Sequence, residues 1–111
     1  MMEKTFVCPC CGWQGLARPA YESMLQLPVK RGVEPPYSDH YGMPSYAVCG
    51  CCGFEYGFDD EPGIGTPSTF ESYLEEWIKD GAVWFSNDKR PENWSLILQL
   101  DEAGIARLQL R

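Results

Sequence analysis

A cysteine motif that occurs twice, followed by two amphipathic stretches with helix-end signals, predicts a small α+β domain that binds a metal ion. The length of 111 residues fits a single domain over residues 1–111. We expect a cysteine-bearing part at 1–61, which contains an irregular insertion at 28–44. Residues 62–111 are expected to form a helical part that packs against it.

The cysteine motif is the strongest signal in the chain. Residues 7–12 read Val-Cys-Pro-Cys-Cys-Gly and residues 48–53 read Val-Cys-Gly-Cys-Cys-Gly, so each cysteine recurs 41 positions later. Each copy supplies a Cys-x-x-Cys pair, and two such pairs can close a tetrahedral site around one structural Zn²⁺. This pattern predicts a pair of knuckle hairpins of the zinc-ribbon or rubredoxin-like kind. The predicted zinc ligands are Cys8, Cys11, Cys49 and Cys52.

Short strands are expected on both sides of each cysteine turn, where they would form the arms of the hairpins. The aromatic residues Phe54, Tyr56 and Phe58 alternate along the last arm, which predicts that all three lie on one face and contribute to the core. The predicted arms are Thr5–Cys8, Trp13–Ala17, Ser45–Cys49 and Phe54–Phe58.

Two cysteines remain beyond the four predicted ligands. Cys10 and Cys51 occupy matching positions inside the two turns. They fit three roles: small buried thiols that pack in the core, alternative or additional metal ligands, or a redox pair. Four thiolates on one Zn²⁺ leave a negative charge nearby, which disfavours a strongly activated nucleophile at either position.

The motif resembles a known family. Residues 8–13 read Cys-Pro-Cys-Cys-Gly-Trp, and the second turn leads into Phe-Glu-Tyr-Gly-Phe-Asp-Asp at 54–60. These stretches resemble the cysteine-rich CPCC domain family of small bacterial proteins, over roughly residues 6–13 and 48–61. The second turn departs from the family pattern because it reads Cys-Gly-Cys-Cys. The resemblance implies a zinc-ribbon-like metal site and no established catalytic activity.

The stretch between the turns is predicted to be irregular. The insertion at 28–44 contains four prolines and two glycines and shows little periodicity, which is typical of an ordered but irregular loop. The preceding residues, 18–27, fit one or two helical turns about as well as an irregular apolar patch.

A first helix is predicted in the C-terminal part. Ser68 and Glu71 have the spacing of a capping box, so the helix should begin there and run to about Asp80, with Gly81 as its C-cap residue. Its apolar residues fall on one face, which should dock on the cysteine-bearing part. These residues are Phe70, Leu74, Trp77 and Ile78, with Tyr73 at the edge.

A second helix is expected after a polar break. Pro91 suits a first helical turn, and Gly104 suits the C-terminal end. Between the helices, residues 82–85 are expected to form a packed extended segment. The apolar residues of the second helix are Trp94, Ile97, Leu98 and Leu100.

Composition limits the possible partners and locations. The formal charge of −7 predicts repulsion from nucleic acid and from anionic membranes, and favours a basic protein partner. The N-terminal residues lack the apolar region of a secretory signal, and no stretch is long enough to span a bilayer. We therefore expect a cytoplasmic protein; its oligomeric state is left open.

No set of catalytic residues can be assembled from the sequence, so an enzyme is not expected. His40 is the only histidine and fits a loop position. The acidic run Asp59 to Glu61 fits a solvated turn, or else a partner-binding or second metal cluster.

The leading hypothesis is a non-catalytic structural-zinc protein that acts as a protein interaction module. One concrete form is an immunity or antitoxin-like protein that occludes a basic toxin. The alternative hypothesis is a thiol-based redox or redox-sensing protein that uses Cys10 and Cys51.

Overall fold

The computed structural model describes residues 5–23, 32–63 and 66–105. The described helices are α1 (Ser38–Tyr41), α2 (Phe70–Lys79) and α3 (Leu96–Ala103), and a 3₁₀ turn covers Asn87–Lys89. The Cα radius of gyration is 13.2 Å, which is typical of a compact domain of this length. None of the described helices is long and apolar enough to cross a membrane.

The predicted strands are reduced to single antiparallel bridges within the described residues. Phe6 pairs with Leu16 beside the first cysteine turn, and Val48 pairs with Glu55 beside the second. The arm that follows the second cysteine turn does not extend beyond this bridge. The Glu55 N–H donates to the Asp59 carboxylate at 2.8 Å, and this hydrogen bond holds the chain in a turn. The hairpin arms are therefore irregular.

The aromatic alternation in the second arm is also interrupted. Phe54 and Tyr56 are fully buried as predicted, but Phe58 is 66% exposed, so its predicted core position is wrong. Gly57 adopts a φ of +91°, which redirects the chain between Tyr56 and Phe58. A side chain at Gly57 would also lie 2.6 Å from the Pro44 ring.

Helix α2 begins one residue later than the capping-box prediction. Thr69, rather than Ser68, is the N-cap: its hydroxyl accepts from the Ser72 N–H at 2.9 Å, and its own N–H donates to the Ser72 hydroxyl at 3.1 Å. The helix ends close to the predicted position, but Asp80 is the C-cap, and Gly81, predicted as the C-cap, follows it with a φ of +105°. The buried residues of α2 are Phe70, Leu74 and Trp77.

Helix α3 begins at Leu96, so the predicted start at Pro91 is wrong. The Ser95 hydroxyl caps the helix by accepting from the Leu98 N–H at 3.2 Å. Gly104 ends the helix in the left-handed conformation, as predicted. Two predicted core residues of this helix, Ile97 and Leu98, are 48% and 62% exposed.

The insertion packs onto α2 instead of remaining wholly irregular. It contains α1, and the preceding Tyr37 is buried with its ring stacked on Phe70 at 3.8 Å between ring centroids. The Tyr37 hydroxyl accepts from the Phe70 N–H at 2.9 Å, which satisfies a donor in the first turn of α2. Residues 24–31, including the start of the insertion and the end of the stretch predicted at 18–27, lie outside the described residues.

Asp60 is completely buried, so the prediction of a solvated acidic turn is wrong at this position. Its carboxylate accepts from the backbone N–H groups of Tyr37 and Gly57, each at 2.9 Å. Asp60 therefore joins the insertion to the turn that follows the second cysteine pair.

Replacing Asp60 by alanine is expected to lower the free energy of unfolding by about 2–4 kcal/mol, because the buried Tyr37 N–H and the half-buried Gly57 N–H lose their acceptor. Urea unfolding of the metal-saturated protein measures the loss. Glu61→Gln, at an exposed neighbour, is the matched control and should stay within about 0.5 kcal/mol of the wild type. Equal stability of the two variants would contradict the structural role of Asp60.

Candidate metal centre

The two cysteine turns bring the four predicted ligands together. All sulfur atoms of Cys8, Cys11, Cys49 and Cys52, here called the cysteine quartet, lie within 4.8 Å of one another. The Cys8 and Cys52 sulfurs are 3.9 Å apart, and those of Cys11 and Cys49 are 3.8 Å apart. A tetrahedron with metal–sulfur bonds of about 2.3 Å has edges of about 3.8 Å. The cysteine quartet could therefore hold a metal ion.

The repeated sequence produces repeated backbone geometry in the two turns. The Gly12 N–H donates to the Cys8 carbonyl and the Gly53 N–H donates to the Cys49 carbonyl, both at 2.9 Å. Both glycines have a φ of +86°, which disfavours any residue with a side chain. At Gly12 a side chain would also lie 2.7 Å from the Ala103 Cβ of α3. The first turn can contact α3 closely only because this residue is glycine.

The sulfur contacts follow the same repeat. Both of the short sulfur–sulfur distances, Cys8 to Cys52 and Cys11 to Cys49, are between opposite turns. The offset of 41 residues relates Cys8 to Cys49 and Cys11 to Cys52, so it exchanges the two pairs. The cysteine quartet thus has an approximate twofold relation. An ion held by the cysteine quartet would lie between the turns and link segments that are distant in sequence.

Burial controls the charge of the cysteine quartet before a metal binds. Burial raises the pKa values of the Cys11 and Cys52 thiols well above the ordinary range. Burial also opposes ionisation of Cys49, but hydrogen bonds from the neighbouring thiols, first that of Cys11, outweigh it and lower the Cys49 pKa. The quartet cannot carry four thiolate charges unless a cation replaces the protons.

The donor set limits the kind of ion that fits. Four buried sulfurs suit zinc or iron in a tetrahedral site, and do not suit Mg²⁺ or Ca²⁺, which prefer oxygen ligands. All four cysteines are at most 5% exposed. Among the described residues, no other group of three or more Cys, His, Asp or Glu side chains could hold a metal ion, so the acidic run Asp59 to Glu61 forms no second metal cluster.

Cys10 and Cys51 lie outside the cysteine quartet, although both are fully buried. The Cys10 thiol donates to the Phe70 carbonyl of α2 at 3.5 Å. The Cys51 sulfur accepts from the Gln99 amide of α3 at 3.6 Å. The two additional thiols therefore connect the turns to two different helices.

Gln99 is a contact that sequence reasoning missed. Its side-chain amide also donates to the Cys11 carbonyl at 3.0 Å, and its oxygen accepts from the Trp94 indole at 2.9 Å. Gln99 is a polar residue inside the apolar run at 96–100, and this was the sequence signal for a buried polar contact. It attaches α3 to both cysteine turns at once.

Tyr56 is a second missed contact, and it reaches the cysteine quartet directly. Its hydroxyl donates to the Cys8 sulfur at 2.9 Å. Cys49, the repeat counterpart of Cys8, accepts instead from the backbone N–H of Cys51 at 3.3 Å. The sequence offered only an aromatic residue four positions after the last cysteine, which predicted a core role.

His40 lies at the end of a short surface helix and not in the cysteine quartet. It is exposed, and its Nε2 atom lies 3.0 Å from the Glu34 carbonyl, to which it can donate. His40 therefore belongs to helix α1, so the predicted loop position is wrong.

Two bacterial proteins are similar to this chain. The Uncharacterized protein YoaQ of Bacillus subtilis (strain 168) is 26% identical over 102 residues, which cover 83% of this chain and 73% of the relative. The Uncharacterized protein YozI of the same strain is 25% identical over 101 residues, which cover 82% and 71%. No family model matches the chain, and no solved structure matches it. The resemblance to the CPCC family stays a prediction.

Adjacent cysteines allow a matched test of the ligand assignment. Cys11→Ser is expected to weaken metal binding at least about 100-fold, because the alcohol is a poor ligand for a soft metal site. Cys10→Ser should bind one metal per chain with little change in affinity. Competition with a chromophoric chelator and metal analysis measure both. Similar losses in the two variants would contradict the assignment.

Proton release tests the electrostatics of the cysteine quartet. At pH 7 the Cys11 and Cys52 thiols are protonated because burial raises their pKa values, so binding of one divalent metal should release at least two protons. Metal affinity should consequently fall as the pH falls. A titration with Zn²⁺ in weakly buffered indicator solution counts the protons, and release of fewer than one per metal would contradict this account.

Proposed function

We propose that this protein is a non-catalytic structural-zinc protein that acts as a protein interaction module in the cytoplasm. The observation that carries the proposal is a link between the second cysteine turn and an apolar surface. The Phe85 N–H donates to the Cys51 carbonyl at 2.9 Å, and the Ser86 N–H donates to the Gly50 carbonyl at 2.8 Å. The same segment exposes 71% of Val83 and 65% of Phe85.

Zinc is the metal that we assign to the cysteine quartet. Four thiolates complete a tetrahedral shell, so the ion keeps no open position for a substrate and serves to hold the turns together. Cys-x-x-Cys pairs remain reduced and available to metal in the cytoplasm. The resemblance to the CPCC family, which implies a zinc-ribbon-like site, supports the same assignment.

The outward direction of the apolar pair is fixed by its neighbours. Ala82 adopts a φ of +51°, an uncommon conformation for a residue with a side chain, and its N–H donates to the Trp77 carbonyl at 2.8 Å. Trp84 is buried and packs edge-on against Trp13 and Trp94, with ring centroids 5.7 Å and 5.3 Å apart. Because Trp84 points inward, Val83 and Phe85 point outward. Val83 and Phe85 would thus contribute two apolar side chains to an interaction site on this side of the molecule.

A groove beside Val83 favours a basic partner. The groove has a volume of about 250 Å³ and is lined by Tyr73, Glu76, Trp77, Asp80 and Val83. Two carboxylates stand beside two aromatic rings at the C-terminal end of α2, where the helix itself carries a partial negative charge. A lysine or arginine side chain from a partner could therefore pair with a carboxylate and contact an aromatic ring.

The net charge of the chain also favours a basic partner. A formal charge of −7 attracts a basic protein over a distance and repels the phosphates of nucleic acid and of anionic lipid. The interaction that we propose thus combines an apolar contact at Val83 and Phe85 with a cationic contact in the groove.

The redox alternative that uses Cys10 and Cys51 stays a prediction. A hydrogen bond with Cys10 contributes to the raised pKa of Cys52, and one with Cys51 contributes to that of Cys11, after the larger effect of burial. Each additional thiol is therefore next to a zinc ligand of the opposite turn.

Affinity capture from a lysate of the native cell at low salt, with identification of the captured protein, tests the proposal. The wild type is expected to retain a basic partner, and Val83→Ser with Phe85→Ser should reduce the retained amount at least about tenfold, since apolar anchors dominate such interfaces. Leu98→Ser, at an apolar residue that is also exposed, is the matched control and should retain it.

The groove is tested in the same assay by removing the charges of its two carboxylates. Glu76→Gln with Asp80→Asn should weaken capture and reduce its salt dependence, whereas Glu75→Gln, on the same helix but outside the groove, should not. If only the Val83 and Phe85 variant captures less protein, the interaction function stands and the groove is not part of the binding site. Absence of any captured protein, or equal capture by all variants, would contradict the proposed function.

A further inference from the structure

The hydrogen bond from Tyr56 to Cys8 breaks the approximate twofold relation of the cysteine quartet. The offset of 41 residues relates Cys8 to Cys49 and Tyr56 to Gly15, and glycine has no side chain that could reach a sulfur. The Cys8 sulfur consequently accepts from a phenol at 2.9 Å, whereas the Cys49 sulfur accepts from a backbone N–H at 3.3 Å. Two ligands with equivalent positions in the repeat have different hydrogen-bond donors.

The position of the Tyr56 hydroxyl is fixed by the surrounding core. Tyr56 is fully buried, and its ring contacts those of Phe54 and Tyr21 at centroid distances of 5.6 Å and 5.9 Å. Its backbone N–H donates to the Ala47 carbonyl at 3.1 Å. Because the backbone and the ring of Tyr56 are both held in place, little side-chain entropy is lost when its hydroxyl binds the sulfur of a metal-bound Cys8.

The direction of this hydrogen bond follows from the chemistry of a metal site. A sulfur that binds a metal is a thiolate and can only accept a hydrogen bond. The Tyr56 phenol has an O–H group that can donate, and its oxygen lies 2.9 Å from the Cys8 sulfur. Tyr56 is therefore the donor and the Cys8 thiolate is the acceptor.

We infer that Tyr56 is a positioning residue of the metal centre, whose hydroxyl orients the Cys8 thiolate and makes Cys8 a weaker electron donor to the metal than it would be without this hydrogen bond. The hydrogen bond also stabilises negative charge in a fully buried site. This role goes beyond the proposed interaction function. It concerns the metal affinity and the electron donation from the Cys8 thiolate, and not the choice of a protein partner.

The test compares Tyr56→Phe with Tyr21→Phe in the full-length chain loaded with Co²⁺ or Zn²⁺. Tyr21 is the matched control, since it is buried in the same aromatic cluster and the groups that act on its hydroxyl are Asp60 and Gly57 rather than a cysteine. Each variant removes one buried oxygen atom and keeps the ring. Only Tyr56→Phe removes a contact with a metal ligand.

We expect Tyr56→Phe to weaken metal binding by about 10- to 100-fold, as is typical when a partner of a metal ligand is removed. In the Co²⁺ form, the sulfur-to-cobalt charge-transfer band should move to lower energy, because a thiolate that loses its hydrogen bond donates electrons more readily. Tyr21→Phe should change neither the affinity nor the band. If both variants match the wild type in affinity and band energy, the inferred role of Tyr56 is wrong.

A second measurement does not depend on a variant that folds. In the unaltered protein loaded with ¹¹³Cd²⁺, the Tyr56 hydroxyl proton should exchange slowly with water and show a scalar coupling to the metal through the Cys8 sulfur. Such a coupling would support the inference even if Tyr56→Phe fails to fold. A Tyr56 hydroxyl proton that is absent or uncoupled would overturn it.

Discussion

Contact between sulfurs of opposite cysteine turns is the interaction on which the rest of the structure depends. The turns are separated by most of the first half of the chain and are joined by no regular sheet in the described residues. Metal binding would convert four buried sulfurs, of which those of Cys11 and Cys52 resist ionisation, into one closed cluster that cross-links the two turns. A chain with such short helices and isolated bridges needs a cross-link of this kind to supplement its core.

Hydrogen bonds attach helices α2 and α3 to the cysteine turns. Helix α3 reaches both turns through Gln99, and α2 accepts the Cys10 thiol at its first residue. The segment after α2 attaches to the second turn through two backbone hydrogen bonds. The surface that we assign to a partner is therefore one or two contacts away from the metal ligands, and its shape depends on the same turns.

The sequence was sufficient for features that are encoded locally. The Cys-x-x-Cys spacing predicted which sulfurs meet, and the glycines predicted the C-terminal ends of α2 and α3, because turn geometry depends on a few adjacent residues. Strand pairing was not predictable in the same way, since the turn at Gly57 and the Asp59 carboxylate compete with extension of the arm. The start of α3 was missed because Pro91 and Ser95 are both acceptable N-terminal signals.

Contacts over long sequence distances could not be inferred from residue type alone. Asp60 resembles a surface aspartate until the insertion folds over it, and Tyr56 resembles an ordinary core aromatic until the first turn approaches its hydroxyl. In both cases a polar atom is buried because a segment from elsewhere in the chain supplies its partner. The composition of the local sequence contains no information about that segment.

The arrangement of the indole rings has a spectroscopic consequence. All four tryptophans of the chain belong to one connected series of ring contacts, from Trp13 through Trp84 and Trp94 to Trp77, with centroid distances of 5.7, 5.3 and 6.1 Å. The series begins directly after the first cysteine turn and ends in the groove beside α2. Intrinsic fluorescence excited at the indole band therefore reports on the strip between the metal centre and the surface assigned to a partner. The insertion, which contains tyrosines and no tryptophan, is silent in the same signal.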